Sequence, residues 1–308
     1  TLIQSIGVSV GLNSLTGQNG QGAISIDMNT FIAVSAISML TGTMLLMWIG
    51  EQITQKGIGN GISLIIFAGI VSAIPSAIGG TIDLVNNGQM NFLVVIAIVV
   101  IIIATVGAII YVELGERRVP VSYSRKVMMQ NQKKRVMNYI PIKVNLSGVI
   151  PAIFASAILM FPATVLQGSE NKYLVMIADY LSPSSYTFNI FMFLFVVFFA
   201  FFYASITFNA KDISENLKKQ GGFIPGVRPG ASTAEFLNEV AGRLTFWGAI
   251  YMGLISTLPW LIVKAMGVPF YFGGVAVLIV VQVAIDTMRK IEAQQYMNKY
   301  QTLSAVGL

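Results

Sequence analysis

Residues 91–126 read NFLVVIAIVVIIIATVGAIIYVELGERRVPVSYSRK. No residue from Asn91 to Val112 is charged, and then Arg117, Arg118, Arg125 and Lys126 follow in quick succession. A helix of ~22 residues at ~1.5 Å rise is about 33 Å long, enough to cross a ~30 Å hydrocarbon core. Cations just beyond such a run mark the edge of a membrane. The whole chain has the same character: 55% of its residues are hydrophobic and only 10% charged, against roughly 25% charged in soluble domains. So little charge cannot cover a water-facing surface, so the chain belongs in lipid.

Marking every charge along the sequence gives the spans. Uncharged runs occupy 28–50, 57–82, 84–112, 144–169, 180–210, 244–263 and 265–285. Trimmed, they predict helices over 29–49, 62–81, 91–112, 146–166, 187–207, 242–261 and 271–291. The opening TLIQSIGVSVGL reads as the last half of an eighth span, followed by the polar NSLTGQNGQG. It has no basic n-region or cleavage pattern and is no signal peptide. Half a helix cannot satisfy its backbone across a bilayer, which predicts that at least part of one helix precedes this sequence. The fold class is an all-α polytopic membrane protein, with seven full transmembrane helices plus the end of an eighth.

Basic residues sort these loops into two sets. Loops after the first, third and fifth full spans, together with the tail, hold seventeen of the nineteen Lys and Arg. The other loops hold Lys172 and Lys264. The positive-inside rule places the first set, and the C-terminus, in the cytoplasm. Two loops of that set, 113–145 and 208–241, far exceed the ~4–6 residues an ordinary connection needs.

Much chemistry is excluded. With no cysteine and no histidine, there is no disulfide, thiol nucleophile, His-based triad or Cys/His metal site. Glu113, Asp83 and Asp286 fall at span ends, where hydration at the interface accounts for them. KGIGNGIS (56–63) lacks the Gly-Lys-Ser/Thr of a phosphate loop and reads as a turn, with Asn60 and the glycines in left-handed conformations. Ser147 and Ser156 have no base near them. The chain is read as no enzyme and as needing no cofactor.

The oversized loops carry the remaining signal. In 113–145, cations beside Tyr123 and Tyr139 suit RNA or acidic lipid, and the loop is longer than orientation alone requires. In 208–241, NAKDISENLKK has helical spacing, with Asp212 and Glu215 early and Lys218 and Lys219 late, as a helix dipole favours. Gly221 and Gly222 end it, and IPGVRPG forces a turn that presents Arg228. Ser232 or Thr233, with Glu235, fits an N-cap for the next helix.

NLKKQGGFIPGVRPG (216–230), GEQITQKGIGNGIS (50–63), IKVNLSGVIPAIFASAI (142–158) and VPFYFGG (268–274) together closely resemble the SecY family. The resemblance runs the whole length in order, from the end of that family's third helix through its tenth. It implies a SecY-type helix bundle in two halves, 1–90 and 91–308, in a bacterial plasma membrane. It further implies a passive channel that passes unfolded secretory chains and releases apolar helices into lipid. The implied partners are SecE and SecG as channel subunits, SecA, the ribosome including its rRNA, passenger chains and acidic lipids. By motif, an aliphatic pore ring would take Ile62, Ile66, Ile153 and Ile279. A lateral gate would include Gln4 and Asn145 and the helix holding Pro151 and Pro162, whose missing donors would loosen it. Docking would use Arg117, Arg118, Arg125, Lys126, Lys218, Lys219 and Arg228. The runner-up is a secondary transporter of a small solute, which would need a charged or broken-helix site at the bilayer midplane. A membrane enzyme comes third.

Overall fold

The computed structural model describes residues 2–13, 27–57, 59–123, 138–167, 172–266 and 274–305. Each predicted span is a helix: α1 (Leu2–Asn13), α2 (Met28–Lys56), α3 (Gly61–Ser72) with α4 (Ile74–Asn86), α5 (Phe92–Glu113), α6 (Ile150–Gln167), α8 (Tyr186–Thr207), α10 (Ala231–Met266) and α11 (Gly274–Ala305). A short α7 (Lys172–Tyr180) lies between α6 and α8, and α9 (Ala210–Lys219) follows α8. Three strands complete the described residues: β1 (Glu116–Tyr123), β2 (Asn138–Lys143) and β3 (Gly222–Phe223).

Departures from the predicted spans have local causes. The span over 62–81 is two helices, because Pro75 lies in the first turn of α4 and cannot donate to the turn before it. The helix predicted from residue 146 starts at Ile150. Pro151 therefore sits in its first turn, where a missing N–H removes no helical bond, so Pro162 alone interrupts the α6 ladder. α10 has 36 residues, about 54 Å at ~1.5 Å rise, and so extends well beyond a bilayer core. Neither Ser232 nor Thr233 caps it. α10 already begins at Ala231, and Thr233 Oγ1 turns back to donate to the Arg228 carbonyl at 2.8 Å.

Outside the bundle, the described parts of the two long loops form one body. β1 pairs antiparallel with β2 from Glu116↔Lys143 to Val121↔Asn138, and with β3 at Ser122↔Phe223 and Tyr123↔Gly222. The strand order β2-β1-β3 thus joins loop 113–145 to loop 208–241. Beneath the sheet, Val119, Val121, Ile142, Leu217, Ile224 and Leu237 make a small core, the last from the extended start of α10. α9 caps itself with Asn209, whose side chain accepts from Asp212 N, and carries Asp212 early and Lys218 and Lys219 in its last turn as predicted. Gly226 and Gly230, at φ +86° and +104°, make the turn around Arg228.

Within the bundle, α6, α8 and α10 share a core of Leu159, Phe188, Met192, Val196 and Met252. α5, α10 and α11 share another around Ile109, Ile255 and Leu278. α2 and α3 meet at a backbone contact, where a methyl on Gly61 would overlap the Gly50 carbonyl oxygen. Val34, Ile37, Leu45 and Trp48 on α2 face outward, which in hydrocarbon carries no hydrophobic penalty.

Candidate functional site

A cavity of about 390 Å³ opens at the end of the bundle that bears the sheet. Its walls come from the start of α3, the β2–α6 connection, the end of α8 and the middle of α11. Polar groups line its outer part, among them Asn60, Lys143, Asn145 and Asp286. Following α3 inward from Asn60, or α11 inward from Lys290, leads to Ile66, Ile153 and Ile279. At ~1.5 Å per residue Ile66 and Ile279 lie roughly 9 and 16 Å along their helices from that rim. With Val149, Val283 and Ile70 they form one apolar cluster. The cavity thus has a polar mouth and an apolar floor.

Three of the four isoleucines assigned to the ring meet here. Ile62 does not line this cavity; it is half exposed and packs against Gly50 of α2. Its helix starts under an Asn60 cap, whose side chain accepts from Ile62 N at 3.1 Å and Ser63 N at 3.4 Å. Asn60 is therefore extended (φ −95°) rather than left-handed, and Gly59 takes the positive φ.

Asn145 organises the connection from β2 into α6. Its Oδ1 accepts from Gly148 N (3.1 Å) and Ser147 Oγ (3.2 Å), closing a tight turn. Its Nδ2 donates to Glu113 Oε1 at 2.7 Å. Both residues are buried. Glu113 is thus packed inside the protein rather than hydrated at a span end, which corrects the sequence reading. Asp286 is half exposed and pairs with Lys143 at 3.6 Å. Gln4 is exposed on α1, which packs between α2 and α6 and is tied to α2 by a hydrogen bond between Ser9 Oγ and Ser35 Oγ. Pro151 is fully buried.

The basic residues group on the sheet-bearing body. Arg117 and Arg118 are exposed on β1, and Arg118 Nε donates to Glu116 Oε1 at 2.8 Å with its guanidinium 4.9 Å from the Tyr139 ring centre. Lys218, Lys219 and Arg228 are exposed on the other loop. Arg125 and Lys126 lie outside the described residues, as does most of VPFYFGG. Sequence reasoning missed the sheet, although VPVSY (119–123) carried its signal: Val119 and Val121 point inward while Pro120 faces out, the period of two of a half-buried strand.

The family model described as SecY matches residues 1–288. A protein translocase subunit SecY of Helicobacter pylori is 69% identical over 308 residues, covering all of this chain and 73% of the relative. The Escherichia coli K12 protein of the same description is 41% identical over 305 residues, covering 98% of this chain and 68% of that one. A solved structure, titled as that of a protein conducting channel, superposes with a TM-score of 0.70 at 18% identity, over 96% of this chain and 70% of the other. That last likeness speaks for the fold.

Proposed function

The chain belongs to the SecY family, and from that membership we infer that it is the pore-forming subunit of a protein-conducting channel. It is a multi-pass membrane protein and a channel subunit, not an enzyme. The observation that carries the reading is the cavity with a polar mouth and a floor of Ile66, Ile153 and Ile279. Its walls draw on residues 59–66 of the first half and on residues from 143 onward of the second, so the passage runs between the halves 1–90 and 91–308. A hydrocarbon constriction dewets and opposes ion flow, yet its side chains can give way around an extended chain.

The finer assignments are proposals. The sheet-bearing body faces the cytoplasm, which the concentration of Lys and Arg on that side supports. SecA or a translating ribosome docks there, on Arg117, Arg118, Lys218, Lys219 and Arg228, with Arg125 and Lys126 completing the basic loop. SecE and SecG complete the channel, and the membrane is the bacterial plasma membrane, in keeping with the bacterial relatives. The seam of α1 against α6, with Gln4, Pro151 and Pro162 on the two helices and Asn145 in the connection leading into α6, is the lateral gate; the interrupted ladder at Pro162 supports a helix that moves. Ile62, which the resemblance assigns to the ring, stands beside α2 and outside this floor. A solute transporter is not favoured: the break between α3 and α4 is the work of Pro75 and brings no charged group to it.

Ion conductance tests the ring. Replacing Ile66 and Ile279 together by serine raises the resting conductance of the channel in planar bilayers, because water then wets the floor. Resting conductance equal to that of the parent contradicts the assignment.

A further inference from the structure

The short helix α7 has a face that the channel reading leaves unused. Its residues Tyr173, Met176, Ile177 and Tyr180 are spaced i, i+3, i+4 and i+7 and are 79%, 59%, 48% and 57% exposed. At ~100° per residue they share an arc of about 100° on the helix. Ala178, on the opposite side, is fully buried, and α7 packs chiefly against α6. Asp179, the exposed acid of the helix, falls outside the apolar arc.

The turn after α7 fixes its depth. Leu181 N donates to the Ile177 and Ala178 carbonyls, and Ser182 N to that of Asp179, so the turn continues directly from the helix. Asn189 Nδ2 donates to the Pro183 carbonyl at 3.0 Å, binding the turn to α8. Trp260 Nε1 donates to the Ser184 carbonyl at 3.0 Å, binding it to α10. Trp260 also meets Tyr186 edge-to-face at 4.8 Å, and Lys264 Nζ stands 3.8 Å from the Tyr186 ring centre. Tryptophan, tyrosine and lysine gathered where two spans end mark the headgroup level of a bilayer. α7 is pinned beside that cluster, at the end of the bundle away from the sheet.

We propose that α7 lies in the plane of the membrane interface, with the Met176–Ile177–Tyr180 face immersed among phospholipid headgroups and upper acyl carbons. The occupant is the lipid surface itself. The helix has the form of an interfacial element: an apolar arc with tyrosines, an acid outside it, and a length too short to span. Because α7 packs on α6, it fastens the far end of that helix to one leaflet. The proposal requires only that the chain crosses a membrane, and stands apart from the assignments of gate, ring and motor.

The absence of native cysteine allows a direct test. Met176→Cys, Ile177→Cys, Tyr180→Cys and Asp179→Cys each give one site for a nitroxide in the chain reconstituted in vesicles of phosphatidylethanolamine and phosphatidylglycerol. All four replace exposed side chains, so folding is preserved. Labels at 176, 177 and 180 collide more often with oxygen than with a water-soluble nickel chelate, and the ratio reverses at 179. Nickel collisions as frequent at 176, 177 and 180 as at 179 mean that α7 stands in water and overturn the proposal. Shielding of those three positions from both reagents means that protein covers the face, and overturns it equally.

Discussion

Glu113 closes α5 with its carboxylate buried against Asn145, a partner 32 residues further along. Removing the acceptor leaves a buried amide donor poorly paired, so Glu113→Ala lowers stability by about 1–3 kcal/mol. Glu113→Gln keeps an acceptor in place and costs less. Thermal unfolding in detergent separates the two variants; equal midpoints would show that this bond does not hold the β2–α6 connection. The sequence placed Glu113 at the end of a span, correctly, but could not show that the chain returns to it. At Arg228 the opposite holds, since local residues wrote the turn: Pro225, Gly226, Pro229 and Gly230 bend the chain, and the arginine is exposed. Arg228→Glu abolishes motor-driven export, measured with inverted vesicles, while the protein still inserts in the membrane. Undiminished export by that variant would remove Arg228 from the docking surface.

Whole elements were legible wherever one physical requirement dominated. Uncharged runs long enough to cross hydrocarbon foretold the long apolar helices, because lipid tolerates little else. Their exact limits depended on contacts the runs do not encode: α10 begins early because Leu237 belongs to the core under the sheet. Pro75 was visible in the sequence, but only its place in the first turn of α4 makes it a break between helices. The β1–β3 pairing joins residues about a hundred positions apart, and such pairings leave little local signal beyond alternation. That pairing can be trapped. Opposed residues in an antiparallel ladder stand about 4.5–5.5 Å apart, within disulfide range. Ser122→Cys with Phe223→Cys therefore oxidises to an intramolecular disulfide, seen as a mobility shift that reductant reverses. If the pair stays reduced under mild oxidant, the two loops do not form one body.

Across the whole molecule, the basic loops, the β2–α6 connection and the cavity mouth converge at one end of the bundle, and the aromatic cluster of Tyr186 and Trp260 lies at the other. A partner bound at the sheet would sit beside the mouth, above a floor made by Ile66, Ile153 and Ile279 from three different helices. Alternation of basic and nearly uncharged loops foretold that convergence; the meeting of Ile66, Ile153 and Ile279 came from family resemblance, since an isoleucine in an apolar helix carries no mark of what it faces. The central claim is that a polypeptide passes between those three side chains. Because the chain has no cysteine of its own, single cysteines at 66, 153 and 279 can be oxidised against one cysteine in a secretory chain stalled in transit. Cross-links at these positions that require the passenger's signal sequence are the predicted result. Stalled passenger that is protected and later exported, yet cross-links to none of the three, would mean that its path lies elsewhere.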